Sequence, residues 1–160
     1  LKTSDVLKNE VSVFMILIEF DTKINSPIEN VFDRLTDLKG YNRWMSKSGL
    51  FINSKKTTEG PETEGTRFVD EIKRGKAIGK IVDYKKPTLV NFQQTVYYRG
   101  IKLMESRPGY ELESLNGQTK INHKAEGKLY GLFKIFEPVV SVIARKERMR
   151  TVNALKKSFK

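Results

Sequence analysis

The sequence predicts an α+β domain with one strand, two short helices, six further strands in an antiparallel sheet and one long C-terminal helix. Three observations predict it. Val13 to Ile24 alternates apolar and polar residues, with Phe14, Ile16, Ile18 and Phe20 on one face and Glu19, Asp21 and Lys23 on the other, the period of a half-buried strand. Ser46 to Lys128 is cut at short intervals by turn signals: Glu59 to Gly65, Arg74-Gly75, Lys86-Pro87, Arg99-Gly100 and Asn116-Gly117. From Leu132 to about Ser158 the spacing is helical.

The elements follow in order. Residues 1 to 11 are read as an N-terminal tail of one domain spanning residues 1 to 160. After the first strand, Ser26, Pro27 and Glu29 supply a cap, a helix-starting proline and a capping-box acid. Ile28, Val31, Phe32 and Leu35 then form one buried stripe. Asp37 caps a second short helix in which Leu38, Tyr41 and Trp44 share a face. Among the strands, Val90, Phe92, Gln94 and Val96 alternate, as do Thr119, Ile121, His123 and Ala125 after the Asn116-Gly117 hairpin. Pro108-Gly109 marks a bend in a strand. Pro138 must sit in a first helical turn or kink the helix, and in the first case Gly131 to Glu137 forms a separate turn that feeds the main helix. Ile135, Val139, Val142, Met149 and Val152 are expected to form the stripe of that helix, widened by Leu132, Phe136, Val140 and Ile143, and this apolar side is expected to face the sheet.

Composition narrows the function. The chain has no cysteine, so it holds neither a disulfide nor a thiolate metal site, and a reducing, cytoplasmic location is expected. Its longest apolar run, Val13 to Ile18, is far below the ~20 residues that span a bilayer. The formal charge is +11, and Arg145 to Lys160 carries seven basic residues against one acid, Glu147. Such a helix suits an anionic membrane surface, although a solvated cationic helix end accounts for it more simply. Tyr97, Tyr98, Arg99 and Lys102 are read as a soluble hairpin tip rather than a base-stacking platform, and nucleic acid is not expected as a partner.

The element order resembles that of the START-like helix-grip superfamily, also called SRPBCC, particularly its polyketide cyclase/dehydrase-like branch. The resemblance rests on Ile24-Asn25-Ser26-Pro27-Ile28-Glu29-Asn30-Val31-Phe32, on Leu38, Tyr41 and Trp44, on Gly65-Thr66, on Lys86-Pro87 before Leu89-Val90, and on Gly117 with Thr119. It implies a curved sheet of seven strands wrapped around the long helix, with an internal cavity for a small hydrophobic molecule of the lipid, isoprenoid, quinone or aromatic polyketide class. Fold alone names no chemistry.

Within that frame Trp44, Phe68, Phe92, Met104, Tyr110, Ile121, His123, Phe136 and Val140 are the candidate ligand-binding residues. His123, the only histidine, is the natural proton carrier near neutrality, and Tyr110 is its candidate companion if the protein is a cyclase or dehydratase. Binding or transport without catalysis is the leading expectation. One histidine and scattered carboxylates make no metal site, no nucleophile elbow is present, and no cofactor is expected.

Overall fold

The computed structural model describes residues 16–160, so the expected tail and the start of the first strand, Val13 to Met15, lie outside the described residues. The elements are β1 (Ile16–Ile24), α1 (Ile28–Thr36), a 3-10 turn (Leu38–Gly40) that continues into α2 (Tyr41–Trp44), and β2 (Phe51–Lys56). Then come β3 (Arg67–Ile72), β4 (Gly75–Lys85), β5 (Leu89–Tyr98), β6 (Ile101–Leu115) and β7 (Gln118–Leu129). A second 3-10 stretch (Gly131–Phe136) leads into α3 (Glu137–Lys157). The strands form one seven-stranded sheet in the order β1-β7-β6-β5-β4-β3-β2. Every pairing is antiparallel.

Local chemistry explains most boundaries. Asn116 and Gly117 both have positive φ, 48° and 81°, as a two-residue hairpin between β6 and β7 requires. The Asp37 carboxylate accepts the Gly40 backbone N–H at 3.0 Å, closing the turn that enters α2. Pro138 occupies the first turn of α3, so the expected break between Gly131–Phe136 and the main helix is present. The β5–β6 ladder lapses where Phe92 and Gln93 face Arg107 and Pro108, at the expected bend. The capping box expected at α1 is not formed. Pro27 takes the N-cap position without a side-chain cap, while buried Ser26 offers its carbonyl to the Thr119 hydroxyl at 2.7 Å. That bond ties the start of α1 to β7.

Alternation puts one face of each strand inward. Ile24, Phe68, Ile81, Val90, Phe92, Tyr110, Leu112 and Ile121 build the main core with α1, which contributes Ile28, Val31, Phe32 and Leu35. A second cluster contains Ile16, Ile18, Ala125 and Leu129, against which Met104, Phe133, Val140 and Ala144 pack.

The long helix corrects an expectation. Its fully buried residues are Val152, Ala154 and Leu155, near its C-terminal end. Leu132, Ile135, Phe136, Val139, Val142, Ile143 and Met149 are exposed, and of the expected stripe with its widening residues only Val140 and Val152 pack inward. The side of α3 that meets the sheet is Val140, Ala144, Val152 and Leu155. The reason is geometric. A 3-10 turn advances a residue by ~120° and an α-helix by ~100°, so a stripe read across their junction joins positions that do not share a face. Val139, Val140, Val142 and Ile143 spread over roughly 160° at ~100° per residue, wider than the contact they make, so composition does not say which part of that arc faces the sheet.

Candidate functional site

A row of rings crosses the inner face of the sheet. Phe68 on β3 meets Phe92 on β5 edge to face at 5.9 Å between centroids, and Phe92 meets Tyr110 on β6 at 6.2 Å. Tyr110 stacks on His123 of β7 at 4.3 Å, and His123 meets Phe20 of β1 at 5.1 Å. β4 lies between β3 and β5 and gives way to the row at Gly79, where a Cβ would come within 2.5 Å of the Phe68 ring. Each such ring contact stabilises by about 0.5–1.5 kcal/mol beyond its buried area.

Polar groups enter this apolar face at a few points. The His123 Nδ1 lies 2.9 Å from the Gly109 carbonyl oxygen. A carbonyl can only accept, so Nδ1 carries the hydrogen and Nε2 keeps a lone pair. That Nε2 is buried and has no partner. Burial, followed by the positive charge of Arg148, lowers the His123 pKa to about 3, and the ring is neutral at physiological pH. Arg148 reaches inward from α3 to within hydrogen-bonding range of the Tyr110 hydroxyl. On β3, burial raises the Asp70 carboxyl to about 6, against the opposing effects of Ser54, Arg148 and Gln94. The Gln94 amide donates to Asp70 Oδ2 at 3.3 Å. Ser54, opposite Asp70 in the ladder, favours the charged form without closing a hydrogen bond of normal geometry, so Asp70 Oδ1 and Ser54 Oγ both stay unpartnered. Trp44 Nε1 is the fourth such atom; its ring meets Tyr41 edge to face at 5.2 Å.

No family model matches the chain, and no curated protein matches its sequence. Solved structures do match. The Zhui aromatase/cyclase from Streptomyces sp. R1128 superimposes with a TM-score of 0.74 over 89% of this chain and 92% of that one, at 9% identity. A START superfamily protein from Mycobacterium smegmatis gives 0.68 over 89% and 96%, at 9% identity. A hypothetical protein from Helicobacter pylori gives 0.69 over 96% and 92%, at 11% identity. This is a START-like helix-grip fold. At these identities the likeness concerns the fold alone.

Against the helix-grip frame, the predicted residues divide. Phe68, Phe92, Tyr110, Ile121 and His123 come together on the inner face, and Trp44 packs against their edge. Met104 and Val140 meet in the second cluster instead. Phe136 is 55% exposed and faces away from the interior, which corrects its assignment as a lining residue. His123 is also not the near-neutral titrating group expected of it, because burial and Arg148 hold it uncharged. Sequence reasoning missed Asp70, Gln94 and Arg148. A signal existed for each: Asp70 and Gln94 occupy inward positions of alternating strands, and Arg148 stands four residues after Ala144 and four before Val152 on the inward side of α3.

The outer face of the helix-grip sheet carries a different feature, a depression of about 690 Å³ over the lapse in the β5–β6 ladder. Its rim includes Glu19, Asp83, Asn91, Lys124 and Glu126, and Phe20, Phe92, Tyr110 and His123 also border it. The rim groups satisfy one another: Lys124 pairs with Glu126 at 3.2 Å and Glu19 at 3.9 Å, and Asn91 donates to Asp83 at 2.9 Å. Inside the grip four buried polar atoms among the described residues lack partners, and that contrast makes the inner face the candidate site. Among the described residues no cluster could hold a metal ion, and no helix is long and apolar enough to cross a membrane.

Proposed function

We propose that the chain binds a small, mostly apolar molecule bearing hydroxyl, phenol or carbonyl groups between the inner face of the sheet and α3. The observation that carries this reading is the set of four buried, unpartnered polar atoms, Trp44 Nε1, Ser54 Oγ, Asp70 Oδ1 and His123 Nε2, beside or within a row of rings. A buried polar atom without a partner costs about 1–3 kcal/mol, so the set favours a bound molecule that supplies the missing partners. The roles follow from the donor inventory: Trp44 Nε1 and Arg148 donate, and His123 Nε2 and Asp70 Oδ1 accept. The rings supply apolar burial at about 25 cal/mol per Å². The START superfamily and aromatase/cyclase neighbours are consistent with a hydrophobic ligand and do not specify it.

Native mass spectrometry of freshly purified protein should reveal a retained small molecule. An environment-sensitive apolar dye should bind and be displaced by phenolic or isoprenoid competitors, and Arg148→Met should weaken the competitor that carries a carbonyl. Absence of both retained ligand and dye binding sinks the reading. A cyclase or dehydratase reaction is the second reading. It draws support from Asp70, whose pKa of about 6 puts its ionisation nearer neutrality than that of His123. Turnover by such an enzyme should follow a pH profile with an inflection near 6 that Asp70→Asn removes.

A further inference from the structure

Apolar side chains and cations from separate parts of the chain crowd one end of the molecule. Leu132 and Ile135 on the second 3-10 stretch are 77% and 74% exposed, and Phe136, Val139, Val142 and Ile143 continue the apolar surface onto α3. The β5–β6 hairpin tip stands beside them, since Tyr98 meets the Phe133 ring at 6.3 Å and Tyr130 donates its backbone N–H to Leu103. That tip adds Ile101, 63% exposed. The β3–β4 turn joins the same end through the pairing of Gly75 with Tyr98. Soluble proteins seldom leave contiguous apolar surface of this kind uncovered unless it meets something.

The surroundings say what it meets. Arg99 lies over the Tyr98 ring at 5.6 Å, Lys102 over Tyr130 at 3.9 Å, Lys128 over Tyr130 at 5.5 Å and Lys76 over Tyr97 at 6.0 Å. Exposed Lys134 and Lys146 stand among the apolar residues of the 3-10 stretch and α3. Exposed aliphatic and aromatic groups, tyrosines beside them and cations around them match a bilayer interface layer by layer: acyl chains, glycerol level and anionic headgroups. A second copy of the chain fits poorly, because a molecule of formal charge +11 would set these same cations against each other. We propose that this end of the molecule docks on an anionic lipid surface, inserting Leu132, Ile135, Phe136 and Ile101 while Lys134, Arg99 and Lys146 meet the headgroups. The proposal is independent of the ligand reading and differs from attachment through the basic stretch Arg145 to Lys160, of which it draws only on Lys146; the cations from Arg148 onward continue toward the C-terminal end of α3.

Flotation with phosphatidylcholine vesicles, with and without phosphatidylserine, tests it on the full chain. Binding should require phosphatidylserine and weaken as salt rises. Ile135→Asp with Phe136→Asp should lower it at least tenfold, and Arg99→Gln with Lys134→Gln by about fivefold per cation removed. Both pairs are on the surface and should melt with the wild type; should the first pair misfold, Ile101→Asn with Leu132→Asn replaces it. No binding, equal binding to neutral vesicles, or binding indifferent to these substitutions overturns the proposal. So does a dimer that Phe136→Asp dissociates, or a cross-link from residues 1–15 onto Phe136, since either result assigns the surface another occupant.

Discussion

The His123 imidazole lies flat against the Tyr110 ring, with centroids 4.3 Å apart and planes 29° from parallel. Stacked this way, and hydrogen-bonded through Nδ1 to Gly109, the ring cannot take a proton without setting a buried charge beside Arg148.

Acid should therefore find the protein through His123. Its folded pKa of about 3 lies below the ordinary histidine value of 6.5. The stability carried by the neutral ring is complete above pH 6.5 and declines as pH falls toward 3. His123→Asn removes that loss. Urea titrations from pH 7 to 4 should show the wild type losing up to about 1.4 kcal/mol per pH unit relative to the variant. Parallel pH profiles would contradict the assignment.

Asp70 has the opposite sign. Its folded pKa of about 6 stands above the ordinary aspartate value of 3.8, so its contribution is present below 3.8 and lost as pH rises through 6. Asp70→Asn should stabilise the protein at pH 8, by about 1–2 kcal/mol after loss of the Gln94 and Arg148 contacts, and by less at pH 4. Between 3.8 and 6 the slopes from Asp70 and His123 oppose each other. The double variant should show little net change there, measured by the same titrations.

Gly79 is required by space. A methyl group there would meet three atoms of the Phe68 ring at 2.5–2.9 Å, in a core side chain that is fully buried. Gly79→Ala should cost about 1–3 kcal/mol in chemical denaturation. Phe68→Leu should restore part of the loss, because it removes the obstructing ring.

Phe136 gives the contrasting case. With its side chain in solvent, Phe136→Ser should leave stability within about 0.5 kcal/mol and dye binding unchanged. A bulky Phe136→Trp should likewise leave the interior site open. Weakened dye binding in either variant would return Phe136 to the lining.

Much of this was legible because strands and turns announce themselves locally. Asn116-Gly117 specifies a hairpin by the φ values it tolerates, and the alternation Thr119, Ile121, His123, Ala125 fixes which side of β7 is inward without any tertiary information. Helix orientation is another matter. Between Leu132 and Ile143 apolar residues cover a broad arc that leaves only the side of Lys134, Glu137 and Ser141 polar, so the docking of Val152 and Leu155 settles the rotation of α3, and that docking depends on strands far away in sequence. Asp70 and Arg148 were obscured for a related reason. Charged residues are read as surface by composition, and their inward placement follows from register and helix phase, which become definite only when the sheet and α3 are assembled.

The distribution of contacts along α3 has a mechanical meaning. Its C-terminal end is fastened by Val152 and Leu155 in the core, and the Arg34 guanidinium of α1 donates to the Ser158 carbonyl and hydroxyl and covers the Phe159 ring at 3.9 Å. Its first half rests on the small contacts of Val140 and Ala144, with a tether from Glu147 to the Leu50 backbone N–H. A rod clamped at its C-terminal end and held at its N-terminal end only through Phe133 bends most in the lightly supported span between them, from Val139 to Arg145, beside the exposed apolar side chains. Amide exchange should accordingly be slow from Val152 to Lys157 and faster from Val139 to Arg145. Widening the grip by such a deflection separates few apolar contacts and leaves the α1 clamp closed.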